Sequence, residues 1–270
     1  MAKEKLYGSI KDRLLEQGLQ THLINGVAIP LNPNWNKVAI NLSGGADSAM
    51  LTYLLATIIQ EKNYKCKIDV ITYKRCWKTR PWQGDVSLNV YNWLKNRFPN
   101  IIDNRETTYI PPELEHGVVG NIVGDRSPDQ VLISSFNSYL AFYNKYNAVY
   151  NATTQNPTVD FDIKDRMCNR DNVTHDLKTL AYIKHEGISW CLEPLRLIEK
   201  DWIVQQYKNY DIMDFFNVTR SCEGDYKNEN LLGIDYTYYS IAKDSIELKE
   251  CGLCFWCVER KWALERLNNK

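Results

Sequence analysis

The chain has 270 residues, 44% hydrophobic and 24% charged, the balance of a folded globular protein with a sizeable core, which excludes disorder as the starting point. Lys plus Arg equals Asp plus Glu at 33 each, so no overall field attracts a polyanion, and no stable nucleic-acid complex is expected. No stretch approaches the roughly 20 apolar residues of a membrane span, and the segment 1–5 lacks the apolar centre of a secretion signal, so the expectation is a cytoplasmic protein that does not engage membranes.

In chain order, Leu6, Ile10, Leu14 and Leu15 give a short helical pattern, and a turn-rich stretch with Gly18, Gly26, Pro30 and Pro33 follows. Lys37 to Leu42 is a short apolar run of the buried-strand type. It leads through Ser43-Gly44-Gly45 into a helix whose apolar pairs Met50/Leu51, Leu54/Leu55 and Ile58/Ile59 recur every four residues. Ile68 to Tyr73 reads as a second strand and Val86 to Phe98 as a second helix, with a third strand near Thr107 to Ile110. This alternation is the grammar of a parallel α/β sheet. A helix over 128–146, strands at Ala148 to Ala152 and Trp190 to Leu192, and a helix from Glu199 to Tyr210 complete the pattern. The polar stretch 153–187, with Asp160 and Asp162, reads as a substrate loop, and a basic helix follows Cys257.

The sequence Ser43-Gly44-Gly45-Ala46-Asp47-Ser48 between strand and helix suits phosphate binding. Glycines bring backbone N–H groups close to an anion, and the helix start adds unpaired donors and partial positive charge. Ser43 and Ser48 add hydroxyls, and Asp47 can approach a Mg2+ ion bridging the phosphates. A plain capped turn is the bland alternative. The Gly-Lys-Ser/Thr ending of a Walker loop and the Gly-x-Gly-x-x-Gly of dinucleotide folds are both absent.

In a reducing compartment the eight cysteines read first as metal ligands or redox groups. Cys251, Cys254 and Cys257 stand at metal-ligand spacing, and Cys222 is the best candidate for the fourth ligand of a tetrahedral Zn2+. Such a closed site has a structural role, with Arg220, Lys249, Arg260 and Lys261 offsetting its charge. A three-cysteine iron–sulfur centre, with one open position, remains the competing reading.

At Ser43–Ser48 the chain resembles the PP-loop, or N-type, ATP pyrophosphatase superfamily, whose members split ATP between its α and β phosphates and pass AMP to an acceptor oxygen. Combined with Cys222 and the run Cys251–Cys257, and with Glu193-Pro194-Leu195 ahead of Lys200, it resembles the 7-cyano-7-deazaguanine synthase family of queuosine biosynthesis. Gly124-Asp125-Arg126 loosely resembles that family's Arg-containing loop, whereas Asn151 to Asp160 differs from its substrate-facing segment.

The resemblance implies a parallel-sheet, Rossmann-like PP-loop fold of the adenine nucleotide alpha hydrolase type with a small C-terminal zinc-binding helical module. Its divisions are 1–36 as an N-terminal extension, 37–215 as the nucleotide-binding domain and 216–270 as the zinc module. It implies ATP, Mg2+ and Zn2+ as cofactors, with Ser43, Gly44, Gly45, Asp47 and Ser48 on the pyrophosphate and the backbone at Thr72 and Tyr73, just past the second strand, on adenine. Asp47, Ser48 and Lys200 are the expected catalytic contributors. The reaction would be ATP-dependent C–N ligation on a small-molecule carboxylate, 7-carboxy-7-deazaguanine plus ammonia giving the nitrile. Amidation of another carboxylate, a tRNA-thiolating PP-loop enzyme and a nucleotide-sensing module without turnover are the alternatives. A homodimer is also implied, with the aromatic stretches 142–150 and 236–239 serving as contact surface or as core.

Overall fold

The structure is a computed structural model that describes residues 18–74, 82–109, 133, 146–157, 182–186 and 189–222, together with 250, 252 and 254–268. Its first element is a hairpin, β1 (Gln20–Ile24) and β2 (Val27–Leu31), closed by Asn25 and Gly26. Both turn residues have positive φ, 45° and 83°. A two-residue Asn-Gly turn of this kind matches the twist of the strands it joins, which explains the Ile24–Val27 pairing. Every residue of β2 is buried, and Ile29 and Leu31 belong to the principal hydrophobic cluster. The hairpin stands where the sequence read only turns.

The main sheet comprises β3 (Lys37–Asn41), β4 (Lys67–Lys74), β5 (Ile102–Tyr109), β6 (Val149–Tyr150), β7 (Tyr182–Glu186) and β8 (Ser189–Glu193). Their spatial order is β5-β4-β3-β6-β8-β7. Five strands run parallel, and β7 pairs antiparallel with β8 at the edge. This is the expected open, Rossmann-like α/β sheet. The stretch read as one long loop before Gly187 contains β7, whose partner β8 supplies the pairing that its sequence pattern did not announce.

From β3 the chain steps outward to β4 and β5, then returns to place β6 on the opposite side of β3. The crevice at the carboxyl ends of β3 and β6 is therefore the point where strand order reverses, the usual place for a ligand in an open α/β sheet. Alternation along the strands sorts the two faces. Val38, Ile40, Ile68 and Val70 belong to the principal cluster, whereas Ala39, Ile71, Tyr73, Tyr146 and Val149 form a second cluster against which Ile133 packs.

Five helices are described: α1 (Ala46–Glu61), α2 (Gln83–Arg97), α3 (Lys200–Asn209), α4 (Met213–Val218) and α5 (Phe255–Asn268). Twelve of the sixteen α1 residues are buried, so this helix is a central packing element and not a surface one. Tyr53, Trp93, Tyr207 and Phe215 join α1, α2, α3 and α4 through aromatic contacts, including a stacked Trp93–Phe215 pair at 4.0 Å. Tyr146 and Tyr150, placed in an aromatic stretch read as surface or core, are core. The rest of that helical stretch and residues 236–239 lie outside the described residues. Among the described residues no helix is long and apolar enough to cross a membrane.

Candidate nucleotide and metal site

The loop leaves β3 at the switch point and enters α1 at Ala46, with Gly45 as the N-cap residue. Gly44 adopts φ +81°, a left-handed backbone that side chains disfavour. A Cβ there would meet the Ser87 nitrogen and the Val86 Cγ1 at 3.0 Å, so the loop backbone lies directly against the first turn of α2. That turn is braced by Arg105 of β5, whose guanidinium donates to the Gly84 carbonyl and to the Ser87 hydroxyl, both at 2.9 Å.

Two hydroxyls set the loop's curvature. Ser48 Oγ accepts from the Ser43 N–H at 3.2 Å, donates to the Gly45 carbonyl at 3.2 Å and lies 3.1 Å from Ser43 Oγ. Ser43 Oγ in turn accepts from the Gly45 N–H at 3.3 Å. Ser48 is nearly buried, so its hydroxyl holds the loop's shape, while Ser43 is more open. The first N–H groups of α1 have no intrahelical acceptor and face the same mouth.

Asp47 receives the ammonium of Lys200, the first residue of α3, which is fully buried. Lys200 also lies 3.5 Å from a carboxylate oxygen of Glu259 on α5, itself wholly buried. The second Asp47 oxygen, Oδ1, is buried without a hydrogen-bond partner, which leaves an acceptor for a cation. Tyr207 donates from its hydroxyl to the Ala46 carbonyl at 2.8 Å, fixing α1 to α3. Complete burial, followed by the Asp47 charge, raises the Tyr207 pKa well above its ordinary range while the Arg260 charge opposes the shift.

Thr72 and Tyr73 lie within β4 and not past its end, because pairing with Thr107 and Thr108 carries the strand on to Lys74. Both are buried, and the Thr72 hydroxyl donates to the Leu42 carbonyl at 3.2 Å, one residue before Ser43. At the neighbouring strand end, Asn41 donates to the Asn151 side chain, so the floor of the crevice is an amide pair joining β3 to β6. Arg126, Asp160 and Asp162 lie outside the described residues.

Beside this loop, Cys222, Cys254 and Cys257 bring their sulfurs within 4.8 Å of one another, all buried. Cys251 lies outside the described residues. The Cys254 carbonyl accepts from the Cys257 and Val258 N–H groups at 3.0 and 3.1 Å, so the start of α5 sets the spacing of its two thiols. The neighbouring Cys222 and Cys254 thiols, with burial, hold the Cys257 thiol strongly protonated in the absence of a metal. A single Zn2+ with bonds of about 2.3 Å would hold its thiolate sulfurs roughly 3.8 Å apart, which lies within the limit observed here. Thiolates on separate iron atoms of a cluster stand farther apart than thiolates sharing one ion. The three thiols lie close enough together to converge on a metal ion.

Sequence reasoning named Arg220 and Cys222 for the metal but missed that their segment also meets the phosphate loop. Arg220 donates its backbone N–H to the Gly44 carbonyl at 2.9 Å, and Ser221 Oγ accepts from the Ala46 N–H at 3.4 Å. The Arg220 guanidinium lies 4.1 Å over the Trp82 ring, and Trp82 packs against the three cysteines. Arg260, expected to offset thiolate charge, is buried and donates to Thr219 Oγ1 at 2.8 Å and the Phe216 carbonyl at 3.0 Å. Lys261 instead points to solvent, paired with Glu265.

No family model and no curated protein matches the sequence. Among solved structures the chain is similar to the U34-tRNA thiolase NcsA from Methanococcus maripaludis, determined with its 4Fe-4S cluster. The TM-score is 0.44 and the identity 12%, covering 87% of this chain and 72% of that one.

Proposed function

We propose that the protein is an ATP-dependent adenylating enzyme of the PP-loop type. The observation that carries this reading is the placement of Ser43–Ser48 at the switch point of a parallel sheet, where it opens α1 with a left-handed glycine pressed onto α2. Backbone amides of the loop hold the pyrophosphate portion of ATP, and Asp47 would hold a Mg2+ ion that offsets phosphate charge. An acceptor oxygen attacks the α-phosphorus, the bond from that phosphorus to the α,β-bridging oxygen breaks, and pyrophosphate leaves with the bonding pair. The chain's contribution is orientation and charge stabilisation, with no covalent nucleophile required.

For the acceptor, the grouping of the Cys222, Cys254 and Cys257 sulfurs, close enough to share a metal, accords with the reading first taken from resemblance, a small-molecule carboxylate such as 7-carboxy-7-deazaguanine that is amidated and dehydrated to the nitrile. A second reading, tRNA thiolation, is favoured by a different feature. The thiol set begins one residue after Ser221, which touches the phosphate loop, so a metal there would be tied to the nucleotide loop by one short segment of chain. It also accords with what the similar tRNA thiolase is named for.

The deciding experiment incubates the protein with ATP, Mg2+, ammonium and 7-carboxy-7-deazaguanine, and in parallel with tRNA and a sulfide source. AMP and nitrile by mass spectrometry support the first reading, whereas thionucleoside in digested tRNA supports the second. Protein that neither binds ATP nor releases pyrophosphate with any acceptor overturns both.

A further inference from the structure

Two segments pass the rim of the phosphate loop on their way to the thiol site. The first is Arg220–Cys222: Arg220 donates to the Gly44 carbonyl at 2.9 Å, Ser221 accepts from the Ala46 N–H, and Cys222 is the adjoining thiol. The second is the start of α5, where Glu259, two residues beyond Cys257, lies 3.5 Å from the Lys200 ammonium that holds Asp47. The two segments come together at the three sulfurs, with Trp82 packed against them.

Gly45 has no side chain with which to cap α1. The hydroxyl that serves instead belongs to Ser221, 175 residues further along the chain. Because Ser221 Oγ accepts from Ala46, its own proton can be donated into the mouth where the loop amides converge. A Cβ on Gly45 would stand 3.4 Å from this hydroxyl and 3.3 Å from that of Ser43, so the two oxygens flank the same backbone position.

We propose that Ser221 is a positioning residue of the phosphate loop and that a metal ion on Cys222, Cys254 and Cys257 fixes it there, so that nucleotide affinity depends on metal occupancy. The proposal rests on the reading of the loop as an ATP site. With the ion bound, residues 220–222 are tied at Cys222 on one side and at Gly44 and Ala46 on the other. Without it, the strap must be ordered when nucleotide binds, and that cost lowers affinity on the order of tenfold or more. An ion with a purely local role would leave nucleotide affinity unchanged.

The test titrates the full-length, zinc-loaded protein with ATP and Mg2+ by calorimetry, repeats this after zinc removal by a chelator and after zinc is restored, and includes Ser221→Ala and Ser221→Thr. The expected result is that Ser221→Ala keeps its zinc and its native circular dichroism but binds ATP about tenfold more weakly, while Ser221→Thr keeps most of the affinity. Zinc removal weakens binding at least as much, and added zinc restores it. Unchanged affinity in Ser221→Ala overturns the proposal, as does unchanged affinity in zinc-free protein with native circular dichroism. Should the zinc-free chain unfold, Ser221→Ala alone decides. If the unmodified protein binds no ATP, the reading of the loop has failed. If it binds ATP and Gly44→Ala abolishes that while Ser221→Ala does not, the coupling alone has failed.

Discussion

Lys200 is wholly buried with its ammonium against the Asp47 carboxylate, a pairing of residues 153 positions apart in the chain. It joins the phosphate loop to α3, and Glu259 at 3.5 Å extends the link to α5. Removing the cation leaves two largely buried carboxylates facing each other across a low-dielectric gap, and such an unbalanced site costs about 3–5 kcal/mol. Lys200→Met is therefore expected to lower the unfolding free energy by about that amount in urea denaturation, and Lys200→Met with Glu259→Gln to recover part of it. A change below about 1 kcal/mol for the single variant would mean that the pair is solvated.

Gly44 and Gly45 are neighbours with different reasons for being glycine. Gly44 holds φ +81° against the Ser87 backbone, so Gly44→Ala meets both backbone strain and a contact that only backbone movement relieves. Unfolding free energy should fall by about 1–3 kcal/mol and ATP binding should be lost. Gly45 is the N-cap with φ −77° and ψ 160°, an extended conformation open to any residue. Gly45→Ala is expected to leave stability within about 0.5 kcal/mol while weakening ATP binding, because its Cβ crowds the Ser43 and Ser221 hydroxyls. Parallel calorimetry and denaturation on both variants check the contrast.

What the sequence revealed and what it hid divide along the range of the interactions. β3, the loop and α1 were legible because strand pattern, glycines and helix period lie within 25 consecutive residues, 37–61. Cys254 and Cys257 were legible from their spacing on one turn of chain. The hairpin Gln20–Leu31 carried its own signal, Asn25-Gly26, but β2 is buried throughout and lacks the polar alternation that marks a half-exposed strand. The six-residue α4 is too short for a period to show. Ser221 and Glu259 entered the site through contacts with Ala46 and Lys200 that no local pattern encodes.

The thiol set makes a prediction about composition. Purified protein should carry about one zinc per chain, and Cys222→Ser, Cys254→Ser or Cys257→Ser should each reduce that content sharply when metal is measured by plasma mass spectrometry. Cys66, buried in the principal cluster, serves as the control, and Cys66→Ser should leave the metal content unchanged. Because the Cys257 thiol is held protonated by its neighbours and by burial until a metal arrives, binding expels protons, and zinc affinity should rise with pH. Iron in place of zinc, with the visible absorbance of a cluster, would favour the thiolation reading.

Stability should decline on the alkaline side, for reasons that lie in the core. Burial pushes the Cys66 thiol up to about 12 from an ordinary 9.0, and it raises the Tyr150 and Tyr207 hydroxyls well above 10.0. In each case the folded chain keeps its proton where the unfolded chain has lost it, so the folded state binds more protons and unfolding free energy falls as pH rises. The contribution is complete below pH 9 and is lost progressively from about 9 upward, first through Cys66 and then through the two tyrosines. One such group changes the slope by up to about 1.4 kcal/mol per pH unit. Urea midpoints at pH 8, 9.5 and 11 should fall in that order, and Cys66→Ala, though less stable at every pH, should lose less between 8 and 9.5 than the unmodified protein. A flat profile over this range would mean that the thiol and both hydroxyls reach water in the folded state.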